Sequence, residues 1–401
     1  MNIVMIGPFG LRPKGTMSVR ALPMARALAA RGHRVELILP PWSWPPDSGR
    51  EWQADGVRVA NIALPPPIPL LRHLIITGRL VRRALRTNPD VIHCFKPKAY
   101  AGLAAMIIWA LKGLGLVRAR LVVDSDDWEG PGGWNEIERY SWLEKRLFAF
   151  QERWGLTHCD GLTVASRALQ TLAWSLGVAP GRVFYVPNGS EERGERGEER
   201  GERGEERGDG GSVVLLYTRF FEFQVERVVE IFRRVLAGVP EARLLVVGKG
   251  LFGEEERLLA LAEEADLAQR VIYAGWVEPE ELPGVFAAAD VAICPYDDTL
   301  VNRARCAVKL VDLMAAGLPI VADDVGQNGE YIEHGVSGLL IEPGDVEAFA
   351  AGVVRLLRDK ELRGQLGREA RRRVGGMFAW QRLVTEVERA YGWKGEGGEE
   401  T

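Results

Sequence analysis

Short apolar runs alternate with segments of helical periodicity along the whole chain. Five runs read as buried strands before a charged stretch: NIVMI (2–6), RVELILP (34–40), DVIHCF (90–95), RLVVDS (120–125) and GLTVAS (161–166). Five more follow it: SVVLLYTR (212–219), ARLLVVG (242–248), RVIYAG (270–275), DVAICP (290–295) and LPIVAD (318–323). Runs that are apolar on both faces are typical of parallel strands covered by helices. The pattern predicts an α/β protein with two doubly wound, Rossmann-like domains facing an interdomain cleft.

The charged stretch differs in composition from everything around it. Residues 191–211 form three seven-residue copies, EERGERG, EERGERG and EERGDGG, and no copy contains an apolar residue. A coiled coil needs apolar positions in each heptad, so this stretch is predicted to be a solvated linker, with a functional charged segment as the alternative. The predicted domains are therefore 1–190 and 212–377.

Charge is distributed unevenly between the two ends of the chain. The 401 residues carry a net charge of −4, yet residues 1–120 contain 18 Lys and Arg against 5 Asp and Glu. Within that part, LLRHLIITGRLVRRALR (70–86) alternates apolar and basic residues at helical spacing. It is predicted either to contact an anionic membrane surface, with Trp42 and Trp44 as further anchors, or to be a packed helix with a solvated basic face. No segment resembles a nucleic-acid-binding module, so no nucleic-acid partner is expected.

Cysteine usage and the absence of targeting signals indicate the compartment. The four cysteines are far apart and form no CxxC pair, which is typical of thiols in a reducing cytosol. The N-terminus lacks the basic-then-apolar order of a signal peptide. The most apolar window, Leu103–Val117, is 15 residues long and includes Lys112, so it is too short to span a bilayer. We expect a cytoplasmic protein, peripheral at the inner membrane face if it contacts a membrane.

Tryptophan is frequent in this sequence. Four of the 12 tryptophans, Trp109, Trp142, Trp154 and Trp174, fall in predicted helices. Large aromatic side chains usually fill cores, so these four are predicted to be buried.

Candidate chemistry in the first half lies in loops that follow predicted strands. The loop GPFGLRPKGT (7–16) contains Gly10 and Gly15 before a helix, which suits either a phosphate-binding loop or a tight turn. The acids Asp126 and Asp127 directly follow a buried strand and precede Trp128. They are predicted to contact a sugar or an acceptor, with a divalent metal as the alternative.

Candidate chemistry in the second half centres on two cations. Arg219 ends the first strand, where it suits a phosphate or an ion pair between domains. Lys309 and Asp312 lie three residues apart on one face of a predicted helix, Val308–Ala316. Lys309 is predicted to neutralise a phosphate and Asp312 to accept hydrogen bonds from ribose hydroxyls, with a solvated ion pair as the alternative.

The ordered set of motifs resembles the retaining glycosyltransferases of family 4, which have the GT-B fold. The first half carries ALPMARALAARGHRVELILP, PDVIHCFKP and CDGLTVAS…VPNG. The second half is more specific, with RLLVVGKG, VIYAGWVEPEELPGVFAAADVAICP, KLVDLMAAGLPIVA, VGQNGEYI and GVSGLLIEPGD. By this resemblance the last helix, at about 378–393, returns to the first domain.

The resemblance implies transfer of a sugar from a nucleotide-sugar donor, with the anomeric configuration kept. Arg219 matches the family's cation at the donor diphosphate, and Asp312 matches the second Glu of the family's two-glutamate signature. The first Glu falls at Ala304, and the usual Lys shortly after the Arg is absent. Arg305, Asn302 or loop amides are the expected substitutes, with Lys309 supplying the missing charge.

The expected site follows from these matches. The residues predicted to be catalytic are Asp126, Asp127, Arg219 and Lys309. The residues predicted to bind the donor are Gly10, Gly15, Arg219, Gly250, Asn302, Arg305, Lys309, Asp312, Gly326 and Glu330. No metal and no cofactor beyond the nucleotide-diphosphate sugar are expected. The expected acceptor is a glycan or a lipid-linked molecule of glycolipid, cell-envelope or surface-polysaccharide synthesis. The alternative, motivated by Ala304 and the absent Lys, is a catalytically silent GT-B protein acting as a binding partner.

Overall fold

The computed structural model describes residues 1–13, 15–69, 71–191, 211–305 and 307–393. The predicted linker lies outside the described residues except for its ends, Glu191 and Gly211. Contacts divide the chain into two units. One is built mainly from residues 1–189 and the segment that starts at Trp380, and the other mainly from residues 211–303 and 307–379.

The first unit is an eight-stranded sheet whose order is β3-β4-β2-β1-β5-β6-β7-β8. All neighbours are parallel except β3 and β4, which form an antiparallel pair. Its strands are β1 (Asn2–Ile6), β2 (Arg34–Leu39), β3 (Glu51–Ala54), β4 (Val57–Asn61), β5 (Val91–Phe95), β6 (Arg120–Ser125), β7 (Gly161–Val164) and β8 (Val183–Tyr185). Its helices are α1 (Leu22–Ala30), α2 (Leu71–Arg86), α3 (Ala99–Gly113), α4 (Trp134–Ile137), α5 (Trp142–Thr157) and α6 (Arg167–Ser175).

The second unit is a six-stranded, wholly parallel sheet. Its strands are β9 (Val213–Tyr217), β10 (Arg243–Val247), β11 (Val271–Gly275), β12 (Val291–Cys294), β13 (Ile320–Asp323) and β14 (Leu339–Ile341), arranged as β11-β10-β9-β12-β13-β14. Its helices are α7 (Val225–Gly238), α8 (Glu254–Glu264), α9 (Leu282–Ala288), α10 (Leu300–Ala304), α11 (Val308–Ala315), α12 (Gln327–Tyr331), α13 (Val346–Arg358) and α14 (Lys360–Met377).

Each sheet is covered on both faces. In β1, Ile3 and Met5 belong to one apolar cluster, while Val4 and Ile6 belong to another. In β9, Leu216 and Leu215 likewise belong to different clusters. Because successive side chains of a strand point to opposite faces, helices pack on both sides of each sheet.

The last helix, α15 (Trp380–Ala390), packs in the first unit. Trp380 and Val384 are buried in the same cluster as Ile3. Phe378, which the sequence placed at the start of that helix, packs instead on Tyr331 of the second unit, with ring centroids 4.4 Å apart. The return to the first unit therefore begins two residues later than predicted.

The ten strands predicted from apolar runs are all present, and each lies within two residues of its predicted bounds. Four further strands, β3, β4, β8 and β14, were not predicted. β8 and β14 have three residues each, too few for a pattern. β3 and β4 are joined by Asp55-Gly56, whose φ angles of 50° and 84° are those of a tight hairpin turn. The Asp-Gly pair was the sequence signal that could have predicted this hairpin.

The prediction that the helical tryptophans are core is wrong for two of the four. Trp142 is 69% exposed and Trp174 is 42% exposed. Trp142 opens α5 on its outward side, so its position on the helix, and not its residue type, decides its exposure. Within the described residues, no helix is both long and apolar enough to cross a membrane.

A fully buried ion pair joins the start of the first helical segment to the sheet of the first unit. Arg20 donates to both carboxylate oxygens of Asp124, at 2.8 and 2.7 Å, and both side chains are 0% exposed. The same guanidinium donates to the carbonyl of Val186 (2.8 Å) and to the side chain of Asn188 (3.1 Å). Thr163 of β7 donates to Asp124 at 2.6 Å. This geometry satisfies the buried charges that burial alone would penalise.

We predict that Arg20→Met destabilises the first unit by about 3–5 kcal/mol, because it leaves the Asp124 carboxylate buried without its counter-charge. The measurement is guanidinium-induced unfolding. Arg26→Met is the matched control, because Arg26 pairs with the exposed Asp55 (3.0 Å) and such a pair contributes less than about 1 kcal/mol. Equal effects of the two substitutions would contradict the prediction.

Candidate functional site

The turn after β9 presents Arg219 outward and buries an acid behind it. Glu222 is buried and accepts hydrogen bonds from the Thr218 hydroxyl (3.0 Å) and from the Arg219 amide (3.2 Å). Phe220 has a φ of 69°, which is uncommon for a residue with a side chain, and its amide donates to the Thr218 hydroxyl at 2.8 Å. Strain of this kind concentrates at functional turns.

Helix α11 brings Lys309 and Asp312 to the same turn. The Lys309 Nζ lies 3.7 Å from the nearer Glu222 oxygen and 5.1 Å from the centroid of the Tyr217 ring. Burial raises the pKa of Tyr217, and the negative charge of Asp312 raises it further. A small depression beside these residues is lined by Tyr217, Thr218, Glu222, Tyr296 and Lys309. Lys309 and Asp312 thus both act on Tyr217 at the end of β9, and their predicted contact with the donor stays a prediction.

Asn302 and Gly326 hold this region together. Asn302 Nδ2 donates to the carbonyls of Glu222 (2.7 Å) and Asp297 (2.8 Å), which uses both of its N–H groups. A Cβ at Gly326 would lie 2.6 Å from the Asn302 carbonyl oxygen, and its φ of 53° also favours glycine. Their predicted contact with the donor stays a prediction, and for Asn302 it is limited to the side-chain oxygen.

In the loop that contains Gly250, backbone amides already donate hydrogen bonds to carboxylates of the chain itself. The Gly250 amide donates to Glu255 at 2.9 Å, and the Phe252 amide donates to Glu254 at 2.7 Å. A Cβ at Gly250 would lie 2.3 Å from the Glu254 carboxylate. In this conformation acids from the first turn of α8 occupy these loop amides, and the predicted contact of Gly250 with the donor stays a prediction.

The other residues predicted to bind the donor lie in both units. Arg305 directly follows α10 and is buried, and Glu330 lies half-buried in α12. In the first unit, Gly10 packs close to Pro41, and the Gly15 amide donates to the Ser18 hydroxyl at 2.9 Å. The two glycines thus serve a tight strand-to-helix turn, and their phosphate role stays a prediction.

Asp126 and Asp127 form part of a buried charged cluster at the ends of β5 and β6. Lys96 donates to Asp127 and lies 3.4 Å from Asp126, while Lys98 lies 2.6 Å from Glu129. Thr16 donates to Asp126 at 2.7 Å. The sequence predicted the two acids but missed both lysines, because only the pairing of β5 with β6 brings FKPK beside DSDD.

The loop that carries the lysines is strained. Lys96 and Ala99 have φ angles of 47° and 48°, on either side of Pro97. Neither residue is a glycine, so the surrounding contacts hold the backbone in this conformation. The positive φ values are invisible in the sequence, although a Lys-Pro-Lys directly after a buried strand was a usable signal.

Burial changes the protonation of two acids in the cluster. It raises the pKa of Asp126 to about 6, against the opposing effect of Lys96. It raises the pKa of Glu152, in α5, to about 8, and the charge of Glu129 adds to that effect. Glu152 is thus largely neutral at pH 7, and its oxygen accepts a hydrogen bond from Ser125 at 2.9 Å.

No group of three or more His, Cys, Asp and Glu side chains is arranged to hold a metal ion among the residues that the structure describes. Two lysines occupy the positions around the acids of the first-unit cluster. That the reaction requires no metal stays a prediction.

Two family models together match most of the chain. The model described as "Glycosyl transferase 4-like domain" matches residues 15–189, and that described as "Glycosyl transferases group 1" matches residues 212–359. The chain belongs to the group 1, family 4-like glycosyltransferases. The junction between the two matched ranges contains the charged linker.

Individual relatives support this assignment. N-acetyl-alpha-D-glucosaminyl L-malate synthase of Bacillus anthracis is 30% identical over 168 residues, 42% of this chain and 42% of that protein. The chain thus spans less than half the length of this relative. Phosphatidyl-myo-inositol mannosyltransferase of Mycobacterium leprae is 25% identical over 98% of this chain and 96% of its own.

Solved structures establish the GT-B fold. Sucrose-phosphate synthase from Thermosynechococcus elongatus superposes with a TM-score of 0.75 at 19% identity and covers 98% of both chains. HepE from Anabaena, solved in complex with UDP, has a TM-score of 0.67 at 19% identity over 98% of this chain and 100% of its own. The two α/β sheets of this chain correspond to that fold.

We predict that Glu152→Gln removes part of the pH dependence of stability. Above the unfolded-state pKa the unfolded chain loses the Glu152 proton while the folded chain keeps it, so stability falls as pH rises from about 4.5 to about 8. Gln keeps the acceptor oxygen and carries no proton to lose. Urea unfolding at pH 5 and pH 8 should show that the substitution stabilises the protein more at pH 8. An effect of equal size at both pH values would show that Glu152 does not titrate in this range.

Proposed function

We propose that this protein transfers a glycosyl group from a nucleoside-diphosphate sugar to a hydroxyl group of an acceptor, with retention of the anomeric configuration. The observation that carries the proposal is the convergence of Lys309 and Asp312 on the strained turn that presents Arg219. Cations at the carboxyl end of a parallel strand suit a diphosphate, and an acid beside them suits ribose hydroxyls.

In this reaction, stabilising the diphosphate leaving group matters more than activating the acceptor hydroxyl as a nucleophile. The bond from the anomeric carbon to the diphosphate oxygen breaks, and the acceptor oxygen forms the new bond on the same face of the sugar. The acceptor proton passes to an oxygen of the departing diphosphate. Arg219 and Lys309 stabilise the charge that develops there, in a region where the nearby Glu222 holds the lysine in place.

The acceptor is assigned to the first unit. Asp127 is the more accessible of the two predicted acids there, with its side chain 20% exposed against 4% for Asp126. Asp127 is therefore the acid proposed to accept a hydrogen bond from the acceptor hydroxyl. Asp126, which is buried between Thr16 and Lys96, positions the cluster.

The comparisons suggest the class of donor and acceptor. The Mycobacterium leprae relative is named for a phosphatidyl-inositol acceptor, and the Anabaena structure contains UDP. We therefore propose a lipid-linked or glycan acceptor of envelope or surface-polysaccharide synthesis. Cys94 and Cys159 are buried as reduced thiols, which supports a cytoplasmic location.

The second candidate is a silent glycosyltransferase fold that binds a nucleotide sugar without turnover. It is favoured by Ala304, a fully buried alanine at the position of the first signature glutamate. The two candidates differ in nucleotide release. UDP-, GDP-, ADP- and TDP-sugars would be screened for nucleotide release and for a rise in melting temperature in the same samples. Stabilisation by one donor, without release in the presence of lipid and glycan acceptors, would favour the silent protein.

We predict that Lys309→Met lowers kcat with the best donor about 100-fold, because it removes a charge that stabilises the departing diphosphate. Methionine has a similar length and no charge, so the fold should persist. Nucleotide release is the measurement.

Lys360→Met is the matched control, since Lys360 is an exposed lysine at the start of α14 in the same unit. It should leave nucleotide release unchanged. A normal rate for Lys309→Met would remove Lys309 from the mechanism.

A further inference from the structure

Helix α5 presents large apolar side chains to solvent. Trp142 is 69% exposed, Leu143 68%, Leu147 42% and Phe150 53%. At 3.6 residues per turn these four lie within one arc of roughly 140°, together with Arg146 and Arg153. We call these six residues the α5 face. Clustered exposed apolar residues mark an interaction surface more often than single ones do.

The polar side of the same helix points inward and is fixed there. Gln151 is buried and bonds the backbone of Ala99 in both directions, at 2.8 and 3.2 Å. Glu152 is buried and bonds Ser125. At the other end, Ser141 and Glu144 form a capping box that sets the first turn. The helix therefore cannot turn its apolar side inward without breaking these contacts.

The neighbouring helices of the first unit expose further apolar side chains. The α5 and α3 helices are joined by His158, which stacks on Trp154 at 4.5 Å and meets Trp109 edge-on at 6.1 Å. Helix α3 and the loop after it expose Ile107, Leu114 and Leu116, and α2, which packs on α3, exposes Leu71 and Leu74.

The positive charge of the α5 face favours an anionic surface as its partner. Both acids of α5, Glu144 and Glu152, lie off the α5 face, whereas Arg146 and Arg153 lie on it. Arg146 also stacks over Trp142, with its guanidinium carbon 4.9 Å from the ring centroid. Helix α2 adds five arginines and no acid. Of these, Arg83 is paired with Glu36 and Glu51 inside the unit, so α2 offers less free charge than its sequence indicates.

A second copy of this chain fits the α5 face less well. A two-fold dimer would set the face against itself, so the arginines of the two copies would meet without acids between them. A bilayer with anionic headgroups accepts both the aromatic side chains and the arginines, because aromatic rings settle at the interface and basic residues pair with phosphates.

We propose that the α5 face docks this protein on an anionic lipid bilayer, with Trp142, Leu143, Leu147 and Phe150 inserted and Arg146 and Arg153 at the headgroups. The proposal goes beyond sugar transfer and does not depend on it. It also places the membrane contact on α5, whereas the sequence had predicted it for residues 70–86. The sequence had predicted a core position for Trp142.

The test is co-sedimentation of the full chain with vesicles, without any donor or acceptor. Vesicles of phosphatidylglycerol and phosphatidylcholine in equal parts should bind the protein, and pure phosphatidylcholine vesicles should bind it more weakly. Trp142→Glu combined with Phe150→Glu should lower the apparent affinity for the anionic vesicles by roughly ten-fold or more, because it removes inserted area and adds repulsive charge. Arg146→Glu combined with Arg153→Glu should also weaken binding and reduce its salt dependence.

Trp276→Glu is the matched control, since Trp276 is a comparably exposed tryptophan (59%) of the second unit. It should bind vesicles as the unmodified protein does. All substituted residues are exposed, and circular dichroism checks that each variant is folded. The proposal is overturned if the unmodified protein does not bind anionic vesicles or if the double variants bind equally well. It is also overturned if sedimentation equilibrium shows a dimer that Trp142→Glu with Phe150→Glu dissociates.

Discussion

The first unit depends on one buried charge pair, Arg20 with Asp124. Its guanidinium contacts β6 directly, reaches the segment after β8 through Val186 and Asn188, and lies 5.9 Å from the Trp380 ring of α15. The pair fixes the end of β6, and the catalytic candidates Asp126 and Asp127 directly follow that strand. Removing either charge would leave the other buried without its counter-charge. The positions of Asp126 and Asp127 therefore depend on this structural ion pair.

The second unit uses a similar device at its own strand ends. Arg227 of α7 donates to Asp323 at 2.5 Å, and Asp323 accepts from the Tyr296 amide at 2.7 Å. Asn302 ties the following loop to Glu222. Lys309, which we propose contacts the donor, lies 3.7 Å from Glu222 of this framework. In both units, buried polar contacts orient the residues to which we assign chemistry.

The sequence predicted most of the fold and part of the site. Buried parallel strands are continuous apolar runs, so all ten runs were recognisable, whereas three-residue strands such as β8 carry no period. Lys309 and Asp312 were predictable because helical spacing fixes which residues share a face. Lys96 was not, because its proximity to Asp127 arises from strand pairing 31 residues apart. The capture of the Gly250 amide by Glu255 depends equally on backbone geometry that composition does not reveal.

Helix α5 shows where residue type misleads and what such an error signifies. Burying a Phe side chain stabilises a protein by about 1.5–3 kcal/mol, and burying Glu152 costs free energy unless it is neutral. A helix shaped by stability alone would face Trp142 and Phe150 inward and Gln151 and Glu152 outward. The observed orientation is the reverse, and Gln151, Glu152 and the Ser141 cap hold it there. Conflicts between local pattern and global packing concentrate at functional surfaces. The same helix thus links the charged cluster, through Glu152, to the surface that we propose meets the membrane.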